Sequence, residues 1–436
     1  MKYYCIGIKG TGMATLASIL SDLGNEVEGY DDNRHTKFTE EGLKKRNIPI
    51  YYEPHNLDKD VIVTFSRAFS EEHPEIKRVR SLGLKVKSYN EVMGDLTKEF
   101  ETIGVSGTHG KTTTSYMIAH LFKDYGINYF VGDGSGYASL DNKLLVMESD
   151  EFNKHFLSYY PNISIINNIE LDHTECYPHG ISELKDAFKE FANKGKTIIA
   201  WGDSDIVRSI EFNKKPIYFG LNHENDIYPY NIHTDSKGSY FDVKYFDQDI
   251  KDIFLPLFGN HMILNATVAV TVAKLYNLDD SLIRKKLSTF ITPKRRFKII
   301  DKKNIKIVDD YAHHPTEIKA TLDACFDHFP GKEVVAVFLP NSYYRNVALE
   351  DDFVKALSRA DKTYVMEILS DREKKEDFPN VSSKTIVDKI ANAEMIDYNS
   401  VDKLLRHKNA VIVFMSCTNI YELMNKYIEL LDNDEK

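Results

Sequence analysis

The strongest chemical signal lies in residues 104–114, which read Gly-Val-Ser-Gly-Thr-His-Gly-Lys-Thr-Thr-Thr. Glycines let backbone N–H groups approach phosphate oxygens, Lys111 supplies a cation, and the hydroxyl of Thr112 is a suitable Mg²⁺ ligand. The strict phosphate-loop pattern has a glycine where this chain has Val105. A glycine-rich turn with an incidental lysine is the alternative, but the complete run from Gly107 to Thr114 favours a phosphate-binding loop.

Two further groups of polar residues follow predicted strands. Glu148 ends the strand predicted from Leu144 to Met147, and His173 closes an Asn-Ile-Glu-Leu-Asp-His run after a second strand. The carboxyl ends of parallel strands meet at one edge of a sheet, so we expect Lys111, Glu148 and His173 to face one nucleotide. Glu148 with Thr112 would suffice as protein ligands for Mg²⁺. We prefer Glu148 to Glu151 as the ligand because it stands directly at the strand end, and a histidine is an unusual Mg²⁺ ligand.

Other motifs offer base-reading and acid–base groups. His261 and Asn265 are four residues apart on one face of a predicted helix, where they could stack on a base and read its edge, or simply cap and pack. Residues 309–317 hold two aspartates and two histidines directly before a helix, a concentration suited to orienting a ribose, a metal-bound water or an amine. The basic cluster at 293–297 is, by itself, typical of a solvated surface.

The amino-terminal segment opens as a Rossmann-like β-α-β unit. Its turn at residues 7–13 has glycines in the order G-x-x-G-x-G, with Lys9 where a nicotinamide dinucleotide fingerprint has its second glycine. The pyrophosphate of a nucleotide sugar needs the same backbone amides and tolerates this order. Asp31, at the end of the next strand, either contacts a sugar hydroxyl or is a solvated loop carboxylate.

These motifs divide the 436 residues into three α/β segments, each long enough for its own core. We predict a Rossmann-like domain at 1–98, a central P-loop ATPase-type domain at 99–292 and a Rossmann-like, doubly wound domain at 293–436. The net charge of −10 argues against nucleic acid as a partner. No apolar run predicts membrane insertion, and four scattered cysteines favour a reducing cytoplasm. No feature predicts an oligomeric state.

Taken together, the strings at 7–13, 107–114, 168–173, 295–297 and 309–317, with Asn260-His261 and Asn265, resemble the Mur ligases, ATP-dependent amide-forming enzymes of peptidoglycan precursor synthesis. The resemblance implies a domain for the UDP moiety, an ATPase domain, and a third domain that closes to present an amino acid. It implies that ATP, with Mg²⁺, phosphorylates the muramoyl carboxylate of UDP-N-acetylmuramate and that the amine of L-alanine attacks the resulting acyl phosphate.

The resemblance also implies residue roles. The residues for ATP are Gly107, Thr108, His109, Gly110, Lys111, Thr112, Thr113, His261, Asn265, Arg296 and Asp310. Those for the UDP-sugar are Gly10, Thr11, Gly12, Met13, Asp31 and Ser66. Those for Mg²⁺ are Thr112 and Glu148, with His173 for a second Mg²⁺, and those with catalytic roles are Lys111, His173, His314 and Arg345.

Two strings depart from the family pattern in the third segment. Asn341 stands where a histidine is usual, although Arg345 is retained, and residues 415–420 read Met-Ser-Cys-Thr-Asn-Ile where a Met-Gly-Ala-Gly turn is usual. A related ligase that adds a peptide, glycine or serine, and a nucleotide-binding paralogue without turnover, are therefore alternatives. A nicotinamide dehydrogenase is the weakest alternative, since it leaves the phosphate loop unexplained.

Overall fold

The structure is a computed structural model that describes residues 1–37, 39–66, 69–172, 175–292, 295–370 and 373–434. Its strands form three sheets that follow one another along the chain, with helices packed against them. The predicted three-part α/β architecture is therefore confirmed. Across these described ranges, no helix is both long and apolar enough to cross a bilayer.

The first sheet is a parallel Rossmann-like sheet. Its strands are β1 (Lys2–Ile6), β2 (Glu26–Tyr30), β3 (Ile50–Tyr51), β4 (Ile62–Phe65) and β5 (Lys85–Ser88), and its helices are α1 (Thr11–Asp22), α2 (Glu40–Lys45), α3 (Pro74–Ser81) and α4 (Tyr89–Glu99). The strand order is β3-β2-β1-β4-β5. Cys5 of the central strand packs into the core on one face, whereas Tyr4 and Ile6 pack on the other. A strand covered on both faces needs such a continuous apolar run.

The second sheet is the largest. Its strands are β6 (Glu101–Ser106), β7 (Ile127–Phe130), β8 (Gly136–Tyr137), β9 (Leu144–Glu148), β10 (Ile163–Ile166), β11 (Thr197–Trp201), β12 (Ile217–Phe219), β13 (Ile227–Asp235), β14 (Gly238–Tyr245) and β15 (Gln248–Leu255). The accompanying helices are α5 (Lys111–Leu121), α6 (Ile181–Lys194), α7 (Asp205–Arg208), α8 (Asn260–Leu275) and α9 (Asp280–Leu287). The order β15-β14-β13-β12-β11-β10-β6-β9-β7-β8 places β6 between β10 and β9. Three strands of the predicted site are therefore adjacent.

Two details of this sheet differ from the sequence prediction. The amphipathic run from Thr112 to Asp124 predicts a helix, but in the structure this helix begins one residue earlier and ends at Leu121, and the chain continues in a 3-10 turn at Lys123–Tyr125. The antiparallel strands β13, β14 and β15 were not predicted. Their register shifts between Tyr230 and His233, and this irregularity interrupts the simple alternation on which strand prediction depends.

The third sheet carries the carboxyl-terminal segment. Its strands are β16 (Lys298–Lys302), β17 (Ile305–Asp310), β18 (Glu333–Phe338), β19 (Lys362–Val365), β20 (Ala393–Met395) and β21 (Ala410–Met415), and its helices are α10 (Pro315–His328), α11 (Tyr343–Ala348), α12 (Glu350–Leu357), α13 (Lys384–Val387) and α14 (Tyr421–Asp434). The order is β16-β17-β21-β18-β19-β20, with β16 antiparallel to β17 and the other pairs parallel. Every residue of β21 is buried, as expected for an inner strand between helical layers.

The first and second sheets are joined at the short edge strand β8. Arg46, directly after α2, donates two hydrogen bonds to the carboxylate of Asp22, at 2.7 and 2.8 Å, and a third to the carbonyl of Gly136 at 3.1 Å. The backbone N–H of Ala138 donates to the same carboxylate at 3.2 Å. This network ties α1 and α2 to the edge of the central sheet.

Candidate active site

The predicted phosphate loop connects β6 to the amino terminus of α5. Gly110 caps the helix in a left-handed conformation, with φ of 78°, and a Cβ atom there would lie 2.7 Å from Oδ1 of Asn265. Only glycine fits both requirements. The loop is pinned by Asn168, whose Oδ1 accepts from the backbone N–H of His109 at 2.8 Å. No side chain caps the helix, so its first N–H groups are available to an anion.

Lys111 lies in a pocket of carboxylates. Its Nζ donates to the carbonyl of Gly107 at 2.6 Å and to Glu151 at 2.8 Å, and lies 3.9 Å from Asp150. Burial would lower the pKa of Lys111, but Glu151, Asp150 and Glu148 outweigh that effect and raise it. The lysine is therefore a fixed positive charge beside the loop.

Thr112 and Glu148 meet as the strand order predicts. The hydroxyl of Thr112 donates to Glu148 at 2.9 Å, and the backbone N–H of Gly132 donates to the same carboxylate oxygen at 2.8 Å. Burial raises the pKa of Glu148. A buried carboxylate beside a hydroxyl is a donor set that fits a hard cation such as Mg²⁺. His173, the third predicted ligand, lies outside the described residues.

His109 joins the phosphate loop to the third sheet. Its Nε2 lies 3.4 Å from Glu170, and its Nδ1 lies 3.3 Å from Glu317 at the start of α10. Burial acts to lower the pKa of His109, but the two carboxylates raise it from 6.5 to about 10. The side chain is thus an imidazolium held between two domains.

His314 lies beside His109, with ring centroids 4.5 Å apart, and caps α10 through Nδ1, which accepts from the N–H of Thr316 at 3.3 Å. Burial, with the nearby charge of His109, lowers the pKa of His314 to about 3, so its ring is neutral. Donor atoms of His109, Glu170 and His314 lie within 4.8 Å of one another, as metal ligands could. A metal ion would have to displace the proton that two carboxylates stabilise on His109. We therefore interpret the group as an imidazolium paired with Glu170 and Glu317, not as a metal site.

A cavity of about 410 Å³ opens beside His261, between the start of α8 and helix α10. Burial lowers the pKa of His261 to about 4, which leaves a neutral ring at this wall. Asn265, one turn later, accepts from the hydroxyl of Thr114 at 3.2 Å. The cavity is further lined by Gly259, Asn260, Lys319, Ala320 and Asp323.

Arg296 and Asp310 form the side of the site that the third segment contributes. Nη2 of Arg296 approaches Oγ1 of Thr112 at 3.4 Å, so the third segment reaches the phosphate loop. Asp310 accepts from the backbone N–H groups of Phe297 and Ala312 at 2.7 and 2.8 Å, and burial raises its pKa to about 6. Asp310 therefore fixes the backbone next to Arg296.

Arg345, in α11, is buried against the central domain. Its Nε and Nη2 each donate to Asp172 at 3.0 Å, and its Nη1 donates to Asn341 at 2.9 Å. Asn341, where the family pattern has a histidine, thus still contacts the arginine.

The residues predicted for the UDP-sugar lie around the turn between β1 and α1. Gly10 caps α1, and a Cβ atom there would lie 3.9 Å from Oγ of Ser66. Asp31 is buried and accepts from the backbone N–H groups of Lys9 and Asn33 at 2.9 and 3.0 Å, so it shapes the turn instead of lying in solvent. Thr11, Gly12 and Met13 form the first turn of α1, and the side chain of Met13 belongs to the core.

Sequence reasoning assigned no role to several carboxylates that complete this site. Glu151 holds Lys111, Glu170 and Glu317 hold His109, and Asp172 holds Arg345. Three of them lie within the quoted motif strings, and Glu151 was weighed only as a metal ligand. A signal that could have identified them is charge balance, since each buried basic residue of a site needs an acidic partner.

Comparison with known proteins agrees with this geometry. Residues 2–101 match the profile of the Mur ligase family catalytic domain, residues 105–273 match the Mur ligase middle domain, and residues 295–417 match the Mur ligase glutamate ligase domain.

Two relatives that match over nearly their whole length share one name. A UDP-N-acetylmuramate–L-alanine ligase from Lacticaseibacillus paracasei is 41% identical over 432 residues, which cover 98% of each chain. A ligase of the same name from Lactiplantibacillus plantarum is 39% identical over 441 residues, which cover 100% of this chain and 99% of the relative. The crystal structure of a UDP-N-acetylmuramate–alanine ligase from Thermotoga maritima has a TM-score of 0.80 and 25% identity, with all of both chains covered.

Proposed function

Since this chain belongs to the Mur ligase family, we infer that it is a ligase of peptidoglycan precursor synthesis that joins L-alanine to UDP-N-acetylmuramate at the expense of ATP. The observation that carries this proposal is the convergence of Lys111, Glu148 and Arg296, a residue of the third segment, on one phosphate loop. Its near full-length relatives, which carry that name, support the same substrates.

We propose that the residues from Gly107 to Thr113 hold the phosphates of ATP. The uncapped amino terminus of α5 offers N–H groups, and Lys111 and the imidazolium of His109 supply two positive charges beside it. In this structure the ammonium group of Lys111 is paired with Glu151. We expect the γ-phosphate of ATP to replace Glu151 as its partner. Charge neutralisation of this kind lowers the barrier to phosphoryl transfer.

The adenosine moiety is proposed to occupy the cavity beside His261. A neutral imidazole can stack on a base, and Asn265 lies on the same helix face. Arg296 and Asp310 would border the ribose and phosphates, since Arg296 already reaches Thr112.

Mg²⁺ is proposed to bind at Glu148 and Thr112, and His173 is proposed to hold a second Mg²⁺. The fit rests on the 2.9 Å contact between the oxygen atoms of Glu148 and Thr112 and on the burial of the Glu148 carboxylate, which raises its pKa although Lys111 and the N–H of Gly132 act to lower it. When bound, Mg²⁺ neutralises charge on the phosphates and orients them.

In the proposed reaction, the muramoyl carboxylate takes the γ-phosphoryl group of ATP, which leaves ADP and an acyl phosphate. The amine of L-alanine then attacks the acyl carbon, phosphate leaves, and the nitrogen loses a proton. Because Nδ1 of His314 accepts a hydrogen bond, its Nε2 carries a hydrogen and is free to donate to an oxygen of the acyl group. Arg345 would bind the carboxylate of the amino acid.

The UDP-sugar is proposed to lie at the amino terminus of α1, on Gly10, Thr11, Gly12, Met13, Asp31 and Ser66. Domains at 1–98, 99–292 and 293–436 remain our proposed division. A cytoplasmic location is proposed as well, because the four cysteines are scattered along the chain and none of Cys5, Cys176, Cys325 and Cys417 forms a disulfide among the described residues.

Phosphate release tests the proposal. Purified protein is incubated with ATP, Mg²⁺, UDP-N-acetylmuramate and L-alanine, with each omitted in turn. Release that requires all of them and disappears in Lys111→Ala supports the ligase. Glycine, serine and a peptide amine are compared with L-alanine under the same conditions. Binding of both nucleotides without release from any amine would refute the ligase and leave a paralogue without turnover.

A further inference from the structure

The contact between Arg345 and Asp172 links two parts of the site that are far apart in sequence. Asp172 follows β10 of the central sheet, whereas Arg345 lies on α11 beside the third sheet. The side chain of Arg345 is only 7% exposed and that of Asp172 only 9%, and the two hydrogen bonds between them are 3.0 Å long. A parallel pair of bonds fixes the plane of the guanidinium as well as its position.

The hydrogen bonds of Arg345 leave a defined pair of donors. A guanidinium has five N–H bonds, and its described contacts use those of Nε, Nη2 and Nη1 once each. Among described residues, no further partner is seen for Nη1 or Nη2, so each keeps one N–H. A carboxylate can accept both of these N–H groups in a second bidentate pair.

Asn341 fixes the guanidinium from the other side. It lies four residues before Arg345 and accepts from Nη1 at 2.9 Å, whereas Asp172 accepts from Nε and Nη2. This residue stands where the family pattern has a histidine, and an amide oxygen supplies an acceptor there. The departure therefore preserves a contact that orients Arg345.

We propose that Asp172 and Asn341 are positioning residues that aim the two remaining N–H groups of Arg345 at the carboxylate of the amino acid. The proposal rests on the proposed ligase function and deepens it. The site selects amines that carry an α-carboxylate. Since Asp172 belongs to the central part of the chain and Arg345 to the third, the amino-acid site is complete only when these parts are in contact.

The test is steady-state kinetics of the full chain with Asp172→Asn and Asn341→Leu. Each variant should raise the KM for L-alanine by about 10-fold or more, because a misoriented guanidinium loses one bond of a bidentate pair. The KM values for ATP and UDP-N-acetylmuramate should change by less than about threefold. Asn341→His, which restores an acceptor, should keep the KM for L-alanine near its original value.

Asp22→Asn is the matched control. Asp22 also forms a two-bond pair with an arginine, Arg46, and also joins two sheets, but it lies away from the phosphate loop. It should leave the KM for L-alanine unchanged. Asn341→Leu leaves the pair of Asp172 and Arg345 intact, so it serves as the test even if Asp172→Asn does not fold.

Three results would overturn the inference. The first is an active parent enzyme whose KM for L-alanine is unaltered in both variants. The second is an equal rise of all three KM values, which would indicate a general structural role. The third is a parent enzyme that releases no phosphate with any amine, which refutes the proposed function itself and is thereby distinguished from the other two.

Discussion

The charge on His109 can be removed by one substitution on another domain. Glu317→Gln keeps an oxygen that accepts from the backbone N–H of His313, at 3.0 Å in the parent structure, so the start of α10 keeps its cap. It deletes the negative charge 3.3 Å from Nδ1 of His109. The variant therefore separates the electrostatic role of Glu317 from its capping role.

The magnitude follows from the geometry. Coulomb's law at 3.3 Å with an effective dielectric constant of about 20 gives roughly 5 kcal/mol. The rise in the pKa of His109 from 6.5 to about 10 corresponds to about 5 kcal/mol, at about 1.4 kcal/mol for each pH unit. Without Glu317, only Glu170 opposes burial, so we expect the pKa of His109 to return toward the ordinary histidine value of about 6.5.

The sign of the pH effect follows from the raised pKa. In the parent protein, His109 stays protonated as the pH rises from 6 to 9 and loses its charge only near pH 10. In Glu317→Gln, His109 should lose its positive charge between pH 6 and 9. We therefore expect kcat/KM for ATP to fall by about 10-fold as the pH rises over this range.

The assay is NMR titration of labelled histidine rings, combined with kcat/KM for ATP over the same pH range. Glu91→Gln is the control, because Glu91 completes a similar capping box on α4 and its described hydrogen bonds are with Ser88, not with the phosphate loop. A His109 ring that titrates near 6.5 in the parent protein, or with the same pKa in parent and variant, would refute the reasoning.

Three further outcomes are expected from substitutions elsewhere. Glu148→Gln should raise the Mg²⁺ concentration needed for half-maximal phosphate release by about 10-fold or more, because the cation loses its charged ligand; a Mg²⁺ titration measures this. Gly110→Ala should lower the melting temperature more than Gly83→Ala, since both have positive φ but only Gly110 has a side chain within 2.7 Å of a new Cβ atom; equal losses would contradict this. Lys9→Met should destabilise the protein by about 3 kcal/mol in urea unfolding, because it removes the buried ammonium 2.8 Å from Glu40 and leaves that buried carboxylate with the exposed Lys44, at 3.1 Å, as its described cation.

Much of the parallel framework was predictable, because its strands are continuous apolar runs that end in polar residues. The runs from Glu26 to Tyr30 and from Ile163 to Ile166 each predict a strand from the sequence, and the strands have the same bounds in the structure. The antiparallel strands after residue 226 escaped prediction because Asn231 and Asp252 adopt positive φ within strands and break the alternation. The sequence signal that could have identified them is the alternation of apolar and polar residues from Phe241 to Lys244, which matches the alternating burial along β14.

The site was predictable where adjacent strands deliver its residues. Lys111, Thr112 and Glu148 follow β6 and β9, which are neighbours in a parallel sheet, so their meeting depends on a general rule of topology. The pairing of Asp172 with Arg345 spans 173 residues and two sheets. It depends on how the third domain packs on the second, which no local pattern encodes.

The edge strand β8 has a mechanical consequence. Through Arg46 and Asp22 it makes the first two sheets one unit, while the third meets that unit through charged pairs at His109 and Arg345. The turn at Gly10 and the phosphate loop are therefore held at a fixed distance from each other. An acyl donor held at the Gly10 turn would present its carboxylate at one distance from a γ-phosphate held at the phosphate loop, so this separation would limit the length of that substrate before any amine binds.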